Sequence, residues 1–205
     1  MWVKICGVTS VEDAELVVAA GADAIGLNFV PGSPRCIDVE RARAIAHACR
    51  GRAELIGVIA NLAFDAARRL RDELGLTALQ LHGDEPPELL AALLPAALKA
   101  LRIGDASDAA AAEAFGGDRL LVDAKVQGAL GGSGRSVDAE LVRPLAERRR
   151  VILAGGLRPE NVAERIAAVG PWGVDVASGV ESAPGVKSAA AVRAFVRAAR
   201  GGETR

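Results

Sequence analysis

A chain of 205 residues, 51% of them hydrophobic, is long enough to bury one substantial core and too short for two full-sized domains. Its 25 Lys and Arg against 26 Asp and Glu give a net charge of −1, which excludes the basic footprint of a nucleic-acid or anionic-membrane binder and favours small ligands. No apolar run approaches the roughly 20 residues of a bilayer span, and the start "MWVKICGVTS" has no signal-peptide core, so a cytoplasmic location is expected.

In chain order, short β-branched or leucine-rich runs alternate with longer, alanine-rich segments of helical period. "WVKIC" (2–6) predicts a strand that delivers Cys6 at its end, and "VEDAELVVAAG" a helix stopped by glycine. "AIGLNF" (24–29) is the second strand, followed by the turn-rich "VPGSPR" with Arg35 and the helix "DVERARAIAHACR". The next three units are "ELIGVIA" (54–60) with "AFDAARRLRDELG", "ALQLH" (78–82) with "PPELLAALLP", and "ALKALRI" (97–103) with "ASDAAAAEAF". "RLLVDA" (119–124) carries Asp123 and leads through the glycine-rich "GALGGSGRSV" to "DAELVRPLAERR". "RVILAG" (150–155) precedes "PENVAERIAAVG", and "GVDVAS" (173–178) precedes "SAAAVRAFVRAAR" and a frayed "GGETR" tail.

Strict βα alternation implies a parallel sheet covered on both faces, and eight such units are the number that closes a (β/α)8 TIM barrel. The competing architecture is an open, doubly wound sheet, but no G-x-G-x-x-G or P-loop follows the first strand. The expectation is a single (β/α)8-barrel domain of the α/β class over residues 1–205.

A barrel gathers its chemistry at the carboxyl ends of its strands, which selects the residues to weigh. Gly155 and Gly156 follow strand seven, and Ser178 and Gly179 follow strand eight, the two loops that commonly hold a phosphate through backbone N–H groups. Either loop alone reads equally well as a tight turn. The loop after strand six exceeds the about 2 to 6 residues of an ordinary βα connection, which suits a lid or a solvent-exposed excursion. Arg35, set among prolines and a glycine, suits bidentate capture of a carboxylate, although a surface arginine is ordinarily just solvated. Cys6 and Asp123 are two strand-end groups able to handle protons. Taken singly, the cysteine also reads as a small core residue, the aspartate as a cap, and His82 as a structural histidine. Cys6, Cys36 and Cys49 form no CxxC pair, and with His47 and His82 as the only histidines no zinc cluster is expected.

Seven stretches together resemble one family: "KICGVTSVEDA", "GADAIGLNFVPGSPR", "GVIAN", "LQLHGDE", "LLVDA" with "GGSG", "LAGGLRPENV" and "GVDVASGVESAPGVK". In order and from end to end, the chain is similar to the phosphoribosylanthranilate isomerases of tryptophan biosynthesis. The resemblance implies a small (β/α)8 barrel and a cofactor-free Amadori rearrangement. In it, N-(5-phosphoribosyl)anthranilate becomes 1-(2-carboxyphenylamino)-1-deoxyribulose 5-phosphate. It implies Cys6 as general base, Asp123 as general acid and Arg35 as the holder of the anthranilate carboxylate. Gly155, Gly156, Ser178 and Gly179 would bind the phosphate, Asp175 the substrate hydroxyls, and His82 and Asn61 would be further pocket residues. The partner implied is a small phosphorylated substrate, with the protein a monomer or homodimer and no metal required.

Departures from the family pattern are Val137 and Ala139 after the strand-six glycines, Ile59 in place of a commoner Phe, which leaves more room, and Ser188 in place of an acidic helix opener. None touches Cys6, Asp123 or Arg35. Two other readings stay open. A related phosphosugar barrel, such as the histidine-pathway isomerase or a ribulose-phosphate epimerase, shares the phosphate loops; the former has an aspartate where this chain has Cys6. A non-catalytic binder would be expected to lose the acid, the base or the carboxylate anchor, and all three are present.

Overall fold

The structure, a computed structural model, describes residues 1–124 and 138–202. The glycine-rich stretch expected to act as a lid, Val137 within it, and residues 203–205 of the tail lie outside the described residues. Eight parallel strands form a closed barrel: β1 (Trp2–Cys6), β2 (Ala24–Asn28), β3 (Glu54–Ile59), β4 (Ala78–Leu81), β5 (Ala97–Ile103), β6 (Arg119–Ala124), β7 (Arg150–Leu153) and β8 (Gly173–Val176). Closure is made by β8 against β1, with Lys4 opposite Asp175 and Ile5 opposite Val176. The helices are α1 (Val11–Ala19), α2 (Val39–Cys49), α3 (Phe64–Leu74), α4 (Pro87–Leu93), α5 (Ala106–Ala111), α6 (Ala139–Ala146), α7 (Val162–Val169) and α8 (Ala189–Ala199). Every expected strand and helix is present, with ends within a few residues of the sequence reading. A small antiparallel hairpin, β9 (Glu181–Ala183) with β10 (Val186–Lys187), follows β8 and was not expected.

Local chemistry sets the helix ends. Ser10, Asp38, Asp105, Asp138 and Ser188 each accept a bond from a backbone N–H of the first turn, satisfying donors that the helix leaves orphaned. Ser188 thereby does the capping expected of the acidic residue it replaces. At the other end α3 and α7 stop at Gly75 and Gly170, whose φ values of 63° and 67° favour glycine.

Strand alternation divides the barrel's side chains between two cores. Val3, Ile5, Ile25, Leu27, Leu79 and Leu81 face the helices and join one large apolar cluster. Ile59 belongs to it and is fully buried, so its smaller size relative to Phe affects helix packing and gives no extra room in the barrel mouth. Inside the barrel, Ala24, Ile56, Ala78, Leu98, Leu121 and Ile152 form a second cluster, with Trp2 and Trp172 against it. The two indoles stack at 5.2 Å at the amino ends of the strands. Beyond that apolar layer, toward the carboxyl ends, the inward positions turn polar: Cys6, Gln80, Asp123 and Asp175. Among the described residues no helix is long and apolar enough to cross a membrane.

Candidate active site

The inward face of β1 is set by alternation: Trp2, Lys4 and Cys6 point into the barrel while Val3 and Ile5 pack outward. Gly26 on β2 makes space beside them, because a Cβ there would stand 2.8 Å from Cys6 Sγ and 3.0 Å from Lys4 Nζ. Gly7 ends the strand with φ 69°, and a Cβ at that position would collide with Cδ of Arg35. The "KICG" motif therefore has a steric logic: the glycine lets the arginine stem of the next loop lie over the cysteine's strand.

The strand ends open on a cavity of about 380 Å³, lined by Cys6, Asn28, Arg35, Gln80, His82, Asp123 and Asp175 together with the Val30–Pro34 turn. A smaller recess of about 60 Å³ adjoins it, lined by Gly155, Gly156, Ser178 and Gly179. Asp123, Asp175 and Ala177 belong to both. Gly155 and Gly156 adopt φ values of 87° and 63°, and a Cβ on Gly179 would strike the Leu157 carbonyl. The N–H groups of Gly155, Gly156, Ser178 and Gly179 donate none of the backbone bonds found in loops among the described residues. Exposed N–H groups on tightly approaching backbone suit an oxyanion.

Lys4 is fully buried, with Nζ 3.0 Å from Asp175 Oδ1. Burial alone would lower its pKa; Asp175 and Cys6 outweigh that and hold the ammonium above its ordinary range. For Cys6 burial dominates and pushes the thiol up, with Asp175 acting in the same sense and Lys4 and Lys187 opposing. The resting group is a thiol whose conversion to thiolate depends on the two ammonium groups nearby.

Arg35 is held differently from the expectation that its fork is open for a ligand. Its Nε and Nη2 donate to Glu181 at 2.8 and 2.7 Å, a bidentate pair within the protein. Lys187, also buried, donates to the same Glu181 at 2.8 Å, to Cys6 O at 2.7 Å and to Ala177 O at 3.2 Å. Glu181, although burial would raise its pKa, is kept below the usual carboxylate range by Arg35 and Lys187. The β9–β10 hairpin thus fastens the end of β1 to the loop that follows β2.

Cys6, Arg35, His82, Asp123 and Asp175 are brought to one cavity, and Gly155, Gly156, Ser178 and Gly179 to the recess beside it. Asn61 is a correction. It is exposed and does not line the cavity; its Oδ1 accepts from Asp84 N at 2.8 Å while its own N–H donates to Glu85, so it ties two loops together. Lys4, Gln80, Glu181 and Lys187 escaped the sequence reading. Their signal was available: Lys4 and Gln80 are two polar side chains in otherwise apolar strand patterns, and Glu181 and Lys187 form the spacing E-x-x-x-G-x-K after β8. Among the described residues no group of three or more His, Cys, Asp or Glu could hold a metal ion.

Residues 3–198 match the model of the N-(5'-phosphoribosyl)anthranilate (PRA) isomerase family. The N-(5'-phosphoribosyl)anthranilate isomerase of Myxococcus xanthus is 48% identical over 203 residues, covering 97% of this chain and 95% of that protein. The crystal structure of phosphoribosyl anthranilate isomerase from Thermotoga maritima superposes with a TM-score of 0.89 at 37% identity, covering 98% of this chain and 99% of that one. A phosphoribosyl anthranilate isomerase solved in complex with reduced 1-(o-carboxyphenylamino)-1-deoxyribulose 5-phosphate superposes at 0.85 with 35% identity, covering 98% and 99%. With the match running through all eight strands and both cavity walls, the chain belongs to the N-(5'-phosphoribosyl)anthranilate isomerase family.

Proposed function

We propose that this chain, an aldose–ketose isomerase by family, runs the Amadori rearrangement of N-(5-phosphoribosyl)anthranilate by general acid–base catalysis across the barrel mouth. The single domain over residues 1–205 is read as the catalytic unit, with a small phosphorylated substrate as its partner. The observation that carries the assignment is the shared wall. Asp123 and Asp175 line both the cavity of Cys6 and Arg35 and the glycine recess, so one ligand with a phosphate at one end and an aryl carboxylate at the other spans both.

The chemistry asks for an acid and a base in turn. Asp123 gives a proton to the furanose ring oxygen, opening the sugar to a Schiff base; the Cys6 thiolate then takes the C2′ proton, and the enolamine tautomerises to the ketone. Lys4 stabilises the thiolate as it forms, since its ammonium lies beside the thiol and is itself kept charged by Asp175. Arg35 spends Nε and Nη2 on Glu181, which leaves Nη1 as the edge for the anthranilate carboxylate. Gly155, Gly156, Ser178 and Gly179 receive the phosphate on backbone N–H groups. His82 lines the same wall, with its Nδ1 3.0 Å from Gln80 Nε2.

The test is consumption of N-(5-phosphoribosyl)anthranilate by purified protein, followed as loss of anthranilate fluorescence. Turnover saturating with substrate is expected. No consumption, by a protein shown to be folded, would reject the assignment.

A further inference from the structure

The "LQLH" strand sends its leucines outward to the helices and its polar side chains inward to the barrel mouth. Leu79 and Leu81 are fully buried in the helix-facing core, while Gln80, 1% exposed, lines the catalytic cavity with His82. The strand is fixed on both sides, Gln80 pairing with Val58 of β3 and with Leu98 of β5, so its side chain cannot turn away without breaking the barrel. Its Nε2 meets His82 Nδ1 at 3.0 Å. Its carbonyl oxygen, Oε1, is buried and has no partner among the described residues.

The rest of the cavity wall is unlike this. Asn28 uses both ends of its amide, donating to Ser33 Oγ and accepting from Val30 N. Arg35 is paired with Glu181 through Nε and Nη2, and Asp175 is paired with Lys4. Asp123 and His82 also have partners. A buried amide oxygen without a partner is costly to a folded protein, and most are eliminated. An amide left so on an otherwise satisfied wall is a group kept for a ligand.

We propose that Gln80 is a substrate-binding residue whose amide takes a hydrogen bond from a sugar hydroxyl of the phosphorylated substrate, and that His82 positions that amide. A hydroxyl suits the site because it donates to the carbonyl and, as a neutral group, brings no charge beside Asp123 and Asp175. This inference rests on the reading of the cavity as the isomerase site, and it makes Gln80 the contact for the middle of the substrate, between the phosphate and the aryl carboxylate.

The full-length chain carrying Gln80→Met, and separately Gln80→Leu, separates this role from a structural one. Turnover of N-(5-phosphoribosyl)anthranilate, thermal unfolding without ligand, and inhibition by inorganic phosphate are measured on each. The expected result is a fall in kcat/KM of about tenfold or more, with an unfolding temperature unchanged or raised and phosphate inhibition unchanged. A structural glutamine predicts the reverse pattern. The assignment is overturned if both variants turn over like wild type, or if both unfold at lower temperature, or if phosphate inhibition weakens together with turnover. A wild-type chain without turnover rejects the isomerase reading itself; an active wild type with equally active variants rejects only the role of Gln80.

Discussion

Two buried lysines, one on β1 and one on β5, make an instructive pair. Lys99 points its ammonium at the loop after β4, donating to Leu81 O at 3.2 Å, Gly83 O at 2.6 Å and Glu85 Oε2 at 2.7 Å. All three of its protons are used, and Glu85 in turn accepts from Asn61 N at 2.7 Å and Gly83 N at 3.2 Å. Lys4 has a carboxylate partner too, but its other neighbour is a titratable thiol, and its carboxylate lines the cavity. The same two ingredients, a desolvated ammonium and an aspartate or glutamate, therefore serve opposite ends. With every valence spent on backbone the pair is a staple; with a thiol and an open wall as neighbours it is part of a site.

The comparison breaks if groups at the mouth prove structural. Cys6→Ala and Asp123→Asn are each expected to lower kcat by about 10² to 10⁴, with the urea midpoint of unfolding almost unmoved. Steady-state rates and denaturation curves on the same preparations decide it. Near-normal turnover in both variants would remove the acid and base assignments; a large shift in midpoint would turn them into packing residues.

Lys99 should behave in the converse way. Lys99→Met leaves Glu85 buried without its counter-charge, at a cost of about 3 to 5 kcal/mol in stability, while kcat per folded molecule stays near wild type. The same staple carries an acid limb. Burial would raise the Glu85 pKa, but Lys99 and the N–H groups of the loop outweigh it and hold it below the ordinary carboxylate value. Its stabilising effect is therefore complete above the unfolded-state pKa and is lost as pH falls through the lower, folded value. Urea midpoints should decline across that acid range in wild type and decline less in Lys99→Met.

How much of this was legible in the sequence depends on the kind of feature. The barrel followed from periodicity, because a parallel strand buried on both faces and a helix buried on one leave distinct patterns in residues as ordinary as Val3, Ile5 and Leu79. The positions of Cys6 and Asp123 followed from counting strands to their ends. Their roles did not: a thiol and a carboxyl at strand ends are common, and the roles came from family likeness. What stayed hidden depends on contacts distant in sequence. Glu181 is 146 residues from Arg35, and Lys187 is 181 from Cys6, so no local pattern could reveal that the hairpin after β8 occupies the arginine fork. Asn61 misled for the same reason. A strand-end asparagine reads as a pocket residue until its φ of 56° and its bonds to Asp84 and Glu85 show it turning a loop.

The finest test of the comparison is the smallest in magnitude. Lys4 and Lys187 lower the Cys6 pKa, whereas burial, the larger effect, and Asp175 raise it. In wild type kcat/KM is therefore expected to climb with pH toward a base limb above the ordinary thiol value, since the thiolate is the active form. Lys4→Met removes one of the two opposing ammonium groups and leaves Asp175 unneutralised, and both changes push the thiol further up. The limb should move to higher pH, costing about tenfold at neutral pH per unit moved, and the loss should close again above the new limb. Alkylation of Cys6 by iodoacetamide across pH, quantified by peptide mapping because Cys36 is exposed and reacts as well, reads the same pKa without substrate. A uniform loss of rate at every pH, with the alkylation profile unmoved, would show that Lys4 only anchors Asp175, and the two lysines would then be staples of the same kind.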